Sequence, residues 1–298
     1  MTADILALGQ GDLALELCPP LGGSIANFRW SKAGNWVDLL RPTSRESLAK
    51  GDMEAVACFP LTPFSNRLRQ GRCRFQGRDI VMPLNTSGPH VEHGHGWQRP
   101  WQVAMSAGDR AILRLSHAGD AWPFPYVMEE RFQISDAGLD VELVTRNTGD
   151  SPMPYGFGLH PYFPATPRCT LTASVGGFWE TDEEVMPTRH TRAPADFDPA
   201  NGLPVAERSM DNAFTGWRGR AAIDWPERKA RLIMTASAPL GVLVVYTPPG
   251  ESYFCAEPVS NTTDAMNMAH TRDDTGLIVL APGASISARV TFRAEALR

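Results

Sequence analysis

Four stretches of this 298-residue chain carry side chains able to move protons or hold a hydroxylated ligand. The first is Phe59-Pro60-Leu61-Thr62-Pro63-Phe64-Ser65-Asn66-Arg67. Its prolines end regular structure and then present an Asn-Arg pair. An arginine's rigid fork of donors can fix a hydroxyl or carboxylate in one orientation. A turn with a surface arginine is the plainer reading of the same residues. The second runs from Pro89 to Trp101 and places His90, His93 and His95 within six residues. Imidazole is a common zinc ligand. However, an extended chain puts His93 and His95 on one face with Glu92 opposite, the helical HExxH spacing is absent, and no cysteine lies nearby. No metal ligand is expected here. Histidines between glycine and tryptophan suit a sugar, because an indole face packs on the apolar face of a pyranose.

The third stretch is Tyr155-Gly156-Phe157-Gly158-Leu159-His160-Pro161-Tyr162-Phe163-Pro164. Its glycines permit close backbone approach. Pro161 and Pro164 exclude a helix through His160 and predict at most an edge strand. A rigid histidine among rings fits a flat, hydroxylated ligand; a core strand with one hydrogen-bonded histidine fits as well. The fourth is Tyr253-Phe254-Cys255-Ala256-Glu257-Pro258-Val259-Ser260-Asn261, where Glu257 ends an apolar run. On a strand, Glu257 shares a face with Cys255 and Tyr253. Partial desolvation there would raise its pKa from about 4.3 toward the range useful to a general base; a strand-end glutamate in water is the alternative. Ser209 to Phe214 adds Asp211 beside an aromatic ring. There is no GxSxG elbow, no P-loop and no GxGxxG after a strand.

The elements that must position these groups read as strands. Leu13, Leu15 and Leu17 alternate with Ala14 and Glu16, and Gly22-Gly23 marks a turn before Ile25 to Trp30. A short helix fits residues 42–55, with Ser44 as N-cap and Gly51 as stop. Arg72–Phe75 and Asp79–Met82 make a hairpin candidate. Val127 to Ile134 is expected to pair with Leu139 to Arg146 across a tight turn. Leu139, Val141 and Leu143 share one face of that second run and Asp140 and Glu142 the other, the habit of antiparallel sheets with one wet face. Further strands are expected over 170–175, 231–236, 241–247, 253–256, 276–280 and from Ile286 to Phe292. Residues 180–210, rich in Asp, Glu, Pro and Arg, read as a surface excursion. The prediction is one all-β domain over 1–298, two sheets packed face to face.

Composition narrows the function classes. Hydrophobic content of 43% and charged content of 20% describe a globular chain, and 26 glycines with 25 prolines favour turns and short strands. The 28 basic and 33 acidic residues leave a net charge of −5 with no basic tract, so nucleic acid is not an expected partner. No apolar run is long enough to cross a bilayer, and Asp4, Asp12 and Glu16 interrupt any signal-peptide pattern. Five cysteines without a CxxC pair fit reduced thiols in the cytoplasm. A monomer or a homodimer is compatible with this sequence.

In order and spacing, the motifs resemble the aldose 1-epimerase (mutarotase) family. The resemblance rests on Pro63-Phe64-Ser65-Asn66-Arg67 with Gly71-Arg72, Phe75 and Gly77-Arg78. It continues through His93-Gly94 with Gly96-Trp97, Leu159-His160-Pro161-Tyr162-Phe163, Asp211 with Phe214, and Glu257-Pro258 with Ser260-Asn261. It spans about residues 10–293. It implies a galactose mutarotase-like β-supersandwich with few short helices, an open sugar cleft, an aldose ligand and no cofactor. It also implies Glu257 as general base on the C1 hydroxyl and His160 as general acid at the ring oxygen. His93 would bond near the ring oxygen, and Asn66, Arg67 and Asp211 would hold hydroxyls. His95 stands where the family usually has a small or apolar residue. No glutamine in 220–236 matches a sugar-contacting one found in some members, and the His-Pro-Tyr-Phe form departs from that of the galactose enzymes. A non-catalytic sugar-binding or sensor protein on the same fold is the alternative. A hydrolase would have to use Asp211 with Glu257.

Overall fold

The computed structural model describes residues 4–206 and 208–297. Strands dominate them, and only two short α-helices are present among the described residues, Arg45–Lys50 and Ala265–Met268. The first helix has the expected ends: the Ser44 side chain accepts from the Ser47 N–H, and Gly51 closes it in the left-handed region.

Two large sheets form the body, one of 11 strands and one of 9, with antiparallel ladders. In the smaller sheet Tyr126–Ser135 pairs with Gly138–Asn147 as the alternation predicts, with Gln133 opposite Asp140 and Ile134 opposite Leu139. Leu139, Val141 and Leu143 are fully buried. Each such side chain contributes about 1.5–3 kcal/mol by leaving water. The final strand, Ser285–Ala296, lies between Gly138–Asn147 and Ala230–Ala236. The inner faces of the two sheets meet: Phe28 of the larger sheet and Phe292 of the smaller have ring centroids 6.3 Å apart. The Trp225 indole N–H, from the smaller sheet, donates to the Pro164 carbonyl of the larger at 2.7 Å.

Two local expectations are corrected. Gly158–Pro164 is an interior strand of the larger sheet, between Cys58–Leu61 and Tyr253–Val259, and not an edge. Its ladder with Tyr253–Val259 pairs Gly158 with Val259, stops, and resumes with Tyr162 opposite Cys255. Pro161 and Pro258 fall in the gap and have no N–H to give, so the ladder opens around them and the strand keeps its place. Tyr253–Val259 likewise continues past Glu257 through Pro258. Second, residues 180–210 are not only a surface excursion. Pro187–Thr191 adds an outer strand against Gly177–Thr181, and Leu203–Pro204 pairs into the smaller sheet. Edge strands with wet side chains lack the buried alternation that makes a strand legible.

The larger sheet is covered on both faces. Along Gly158–Pro164, Leu159 and Phe163 join the core between the sheets. Tyr162 joins a second apolar cluster on the opposite face, with Phe59, Leu61, Trp97 and Cys255. The candidate chemistry lies on that second face.

Candidate active site

Strand register assembles the site. His160 is opposite Phe59 on one side. On the other side it falls, with Glu257, in the gap between the Gly158–Val259 and Tyr162–Cys255 pairs. Glu257 is in turn opposite Val244. One step along, Tyr162 pairs with Cys255, Cys255 with Tyr246, and Tyr246 with Asp211. Directly paired residues on neighbouring strands share a face, so two rows of side chains cross five strands and bring His160, Glu257 and Asp211 together. His160 Nε2 lies 3.3 Å from Glu257 Oε1, both side chains being buried.

Close backbone approach is built into the same segment. A Cβ at Gly156 would sit 2.0 Å from Asn261 Oδ1, and one at Gly158 would sit 2.4 Å from the Pro258 carbonyl oxygen. Glycine alone lets the His160 segment lie against the chain that follows Glu257.

Ring stacking fixes the imidazole. His160 packs on Phe59 and on Tyr162, with centroids 4.5 and 4.7 Å away, and those two rings are 6.1 Å from each other, so the three form a triangle. Trp97 stacks on Phe59 at 5.2 Å. The Arg41 guanidinium lies 3.8 Å from the Tyr162 ring centre and donates to the Val56 carbonyl at 2.8 Å. Such stacked and cation–π contacts hold a ring in one orientation and add about 0.5–1.5 kcal/mol each beyond burial.

The Asn66–Arg67 corner is pinned from behind. Ser65 Oγ donates to the Asn261 carbonyl at 3.0 Å, and the Asn261 amide donates back to the Ser65 carbonyl at 3.2 Å. Asn66 and His93 then bond each other through the backbone: the His93 N–H donates to the Asn66 carbonyl at 2.8 Å, and the Asn66 N–H donates to His93 Nδ1 at 3.1 Å. The second bond settles the tautomer of the neutral ring, because an accepting Nδ1 leaves the proton on Nε2. Arg67 lies between two carboxylates, Asp211 at 3.1 Å and Glu92 at 3.4 Å.

The expected sharing of a face by His93 and His95 is corrected. His93 and Gly94 both take positive φ, +60° and +66°, and that breaks the two-residue alternation. His93 lines the cleft. His95 turns toward the smaller sheet, its Nε2 2.9 Å from the Tyr126 hydroxyl. His90 accepts the Gln70 N–H at Nδ1. The three histidines therefore serve three different places.

All six residues singled out in the sequence, Asn66, Arg67, His93, His160, Asp211 and Glu257, line one open cleft of about 790 Å³. Two arginines that follow closely in sequence pair elsewhere, Arg69 with Asp264 and Arg74 with Asp79. Sequence reasoning missed Arg41, which no motif marks. It also missed Glu92 as the second partner of Arg67, and the contribution of Phe178, Glu180, Val185 and Phe197 to the cleft wall. The Phe178-Trp179 pair before the polar run was the available signal for that wall.

Burial sets the protonation states. It pushes the Glu257 carboxyl well above the usual carboxylate range; Asp211 and Glu92 add to this while Arg67 opposes it. It pushes His160 down to about 3, helped by the positive charges of Arg41 and Arg67. His93 is held well below its ordinary value by burial, then by His160 and Arg67. Asp211 is raised by burial against the pull of Arg67. For His160 and Glu257 the shared result is a facing pair that keeps one proton between two basic atoms over a broad pH range. Such a pair can release a proton at one atom while taking one at the other.

Sandwich and cleft together place the protein among the galactose mutarotase-like β-folds. It belongs to the aldose 1-epimerase family, whose model matches residues 5–293. The chain is 31% identical to the Escherichia coli K12 protein YphB over 304 residues, covering 98% of this chain and 99% of that one. The crystal structure of a proposed aldose 1-epimerase from Escherichia coli K12 superposes with a TM-score of 0.88 at 29% identity, covering 99% of each chain. The GalM/aldose epimerase homologue from C. elegans shares the fold, with a TM-score of 0.84 at 18% identity and 99% of each chain covered.

Proposed function

We propose that this protein interconverts the α and β anomers of a free aldose by opening and reclosing the sugar ring. The observation that carries this reading is the 3.3 Å contact between His160 Nε2 and Glu257 Oε1 at the cleft. The ring oxygen and the anomeric hydroxyl oxygen are bonded to the same carbon, so two facing proton-transfer groups can engage both at once.

Burial favours the pair's proton on Glu257, so opening begins with its transfer to His160 across the 3.3 Å contact; Glu257, now a carboxylate, takes the proton of the C1 hydroxyl. The C1–O1 bond becomes a carbonyl, the C1–O5 bond breaks, and its electron pair on O5 receives the proton of His160. Rotation about C1–C2 presents the other carbonyl face. Closure reverses each transfer: O5 attacks C1, His160 recovers its proton, and Glu257 returns one to O1. The pair holds the same proton count before and after, so no solvent proton is required. The His93 Nε2–H donates near the ring oxygen, and Asn66, Arg67 and Asp211 hold hydroxyls. Arg67, the arginine of the cleft wall, is already paired with Asp211 and Glu92. A neutral sugar therefore suits this wall better than a phosphorylated one.

The test is polarimetry or NMR of a freshly dissolved α-aldose with the wild type and Glu257→Gln. The reading requires anomer exchange faster than the spontaneous rate and its loss in the variant. Undiminished exchange in Glu257→Gln would overturn the roles of Glu257 and His160. Sugar binding by the wild type without faster exchange would make it a sugar-binding protein instead.

A further inference from the structure

A second cluster of ligand-type side chains lies away from the cleft. His95, His117 and Asp120 each offer one ligand atom, and these atoms lie within 4.8 Å of one another. They come from three separate places: the turn after His93, the end of the strand Arg110–His117, and the loop that follows it. A cavity of about 340 Å³ opens beside them, lined by Asn85, His95, Gln98, Arg99 and Asp120 among others.

The hydrogen bonds define which atoms are available. His117 Nε2 lies 2.7 Å from the Trp122 carbonyl oxygen, so that nitrogen carries the proton. His117 Nδ1 accepts from the Arg99 guanidinium at 2.9 Å, as only a lone pair can. His117 Nε2 also lies 3.7 Å from Asp120 Oδ1. A histidine with one N–H held by a carbonyl and a lone pair on its other nitrogen is arranged as metal-binding histidines are. His95 has its Nε2 on the Tyr126 hydroxyl at 2.9 Å. Its Nδ1 is buried with no hydrogen-bond partner, in a residue only 8% exposed. Asp120 supplies the negative charge.

One cation already stands in the cluster. Arg99 reaches His117 with one guanidinium nitrogen and Asp120 with the other. Its side chain is 34% exposed and that of Asp120 is 45% exposed, so the arginine can swing out to solvent while the two buried imidazoles stay in place.

We propose that His95, His117 and Asp120 form a binding site for a borderline divalent transition metal such as Zn²⁺ or Co²⁺, with Arg99 as the resident cation that the metal displaces. Two imidazoles and one carboxylate match the preference of these ions over Ca²⁺ or Mg²⁺, which take all-oxygen shells. The site is separate from the sugar chemistry. Its consequence is structural: the metal would tie the turn carrying His93 to the smaller sheet.

The test begins with chelator-treated full-length protein titrated with Co²⁺ by visible absorption and with Zn²⁺ by calorimetry. The expected result is saturable binding of one ion per chain and a melting temperature that rises with Zn²⁺. His95→Gln and Asp120→Asn should abolish binding at the concentrations that saturate the wild type. Removal of the outer partner in Tyr126→Phe should weaken it by roughly 10–100-fold. Arg99→Ala should tighten it, an effect that a merely structural arginine would not produce. His160→Gln, which removes the other three-residue group of ligand type, His160 with Cys255 and Glu257, should leave binding unchanged. Melting curves in chelator establish that each variant is folded, and Asp120→Asn, at an exposed position, gives a folded ligand variant if His95→Gln does not. Absence of saturable binding in both wild type and Arg99→Ala would overturn the proposal. Binding that survives in a folded ligand variant, or that disappears in His160→Gln, would also overturn it.

Discussion

Glu257 and Glu130 are each 2% exposed, and in both burial drives the carboxyl well above the usual range. Their surroundings differ. Glu257 faces the His160 ring at 3.3 Å, opens on the cleft, and feels Asp211 and Arg67 nearby. Glu130 lies on Tyr126–Ser135, between Leu113 and Leu143 in the ladder. Its Oε2 has no hydrogen-bond partner, and a Cβ added at Gly23 would come within 2.9 Å of it. A raised carboxyl pKa is therefore only a sign of desolvation. Proton transfer also needs a second proton-carrying group and a path for substrate; Glu257 has a facing imidazole and an opening on the cleft.

Substitutions at these glutamates and their neighbours test whether the pairing with His160, and not burial alone, sets Glu257 apart. The largest effect is expected at Glu257→Gln: anomer exchange should fall by roughly 10²–10⁴-fold in kcat, while Glu130→Gln should leave kcat near the wild-type value, both read by polarimetry. An equal loss at both positions would mean that burial and not pairing distinguishes the site. Next is Asp211→Asn, which frees Arg67 from its 3.1 Å partner. KM should rise about tenfold, the scale of one charge-assisted hydrogen bond, with a smaller change in kcat. It also removes a charge that raises Glu257, so the alkaline limb of the rate profile should move to lower pH.

The pH profile of the wild type offers a subtler check. An ordinary histidine acid–base group gives an acid limb near pH 6.5. Because His160 is pushed down to about 3, kcat/KM should show no limb near neutrality, and a break at pH 6–7 would indicate an imidazole that titrates alone. The smallest effect is on stability. Glu130 has a folded-state pKa raised above its unfolded value. Between those two values the folded state holds more protons, so stability falls as pH rises through that window. Glu130→Gln should remove this dependence, raising the melting temperature more at pH 8 than at pH 5.

The strands of the smaller sheet were legible because residues such as Leu139, Val141 and Leu143 alternate strictly with polar neighbours, and one buried face writes itself into a period of two. The six cleft residues were also legible, by type and motif order. His95 was not. The sequence places it beside His93, and only the left-handed φ at His93 and Gly94 sends it to the opposite side of the sheet. Arg41 had no signal because a cation stacked on a ring needs no particular neighbour in sequence. The interior position of Gly158–Pro164 was hidden because proline rules describe a complete ladder, and this one is open at Pro161 and Pro258.

Fold class and chemical inventory could be read from the chain alone, since periodicity and residue type are local. It could state that Glu257 shares a face with Cys255, because a strand fixes its own faces. It could not state that His160 stands across from Glu257, nearly a hundred residues away. That meeting depends on which strands become neighbours and in what register, and both are set by packing of the whole sheet against its partner. Only the folded chain brings them together, and with them the difference between a buried glutamate that faces an imidazole at a cleft and one that lies between two leucines of a ladder.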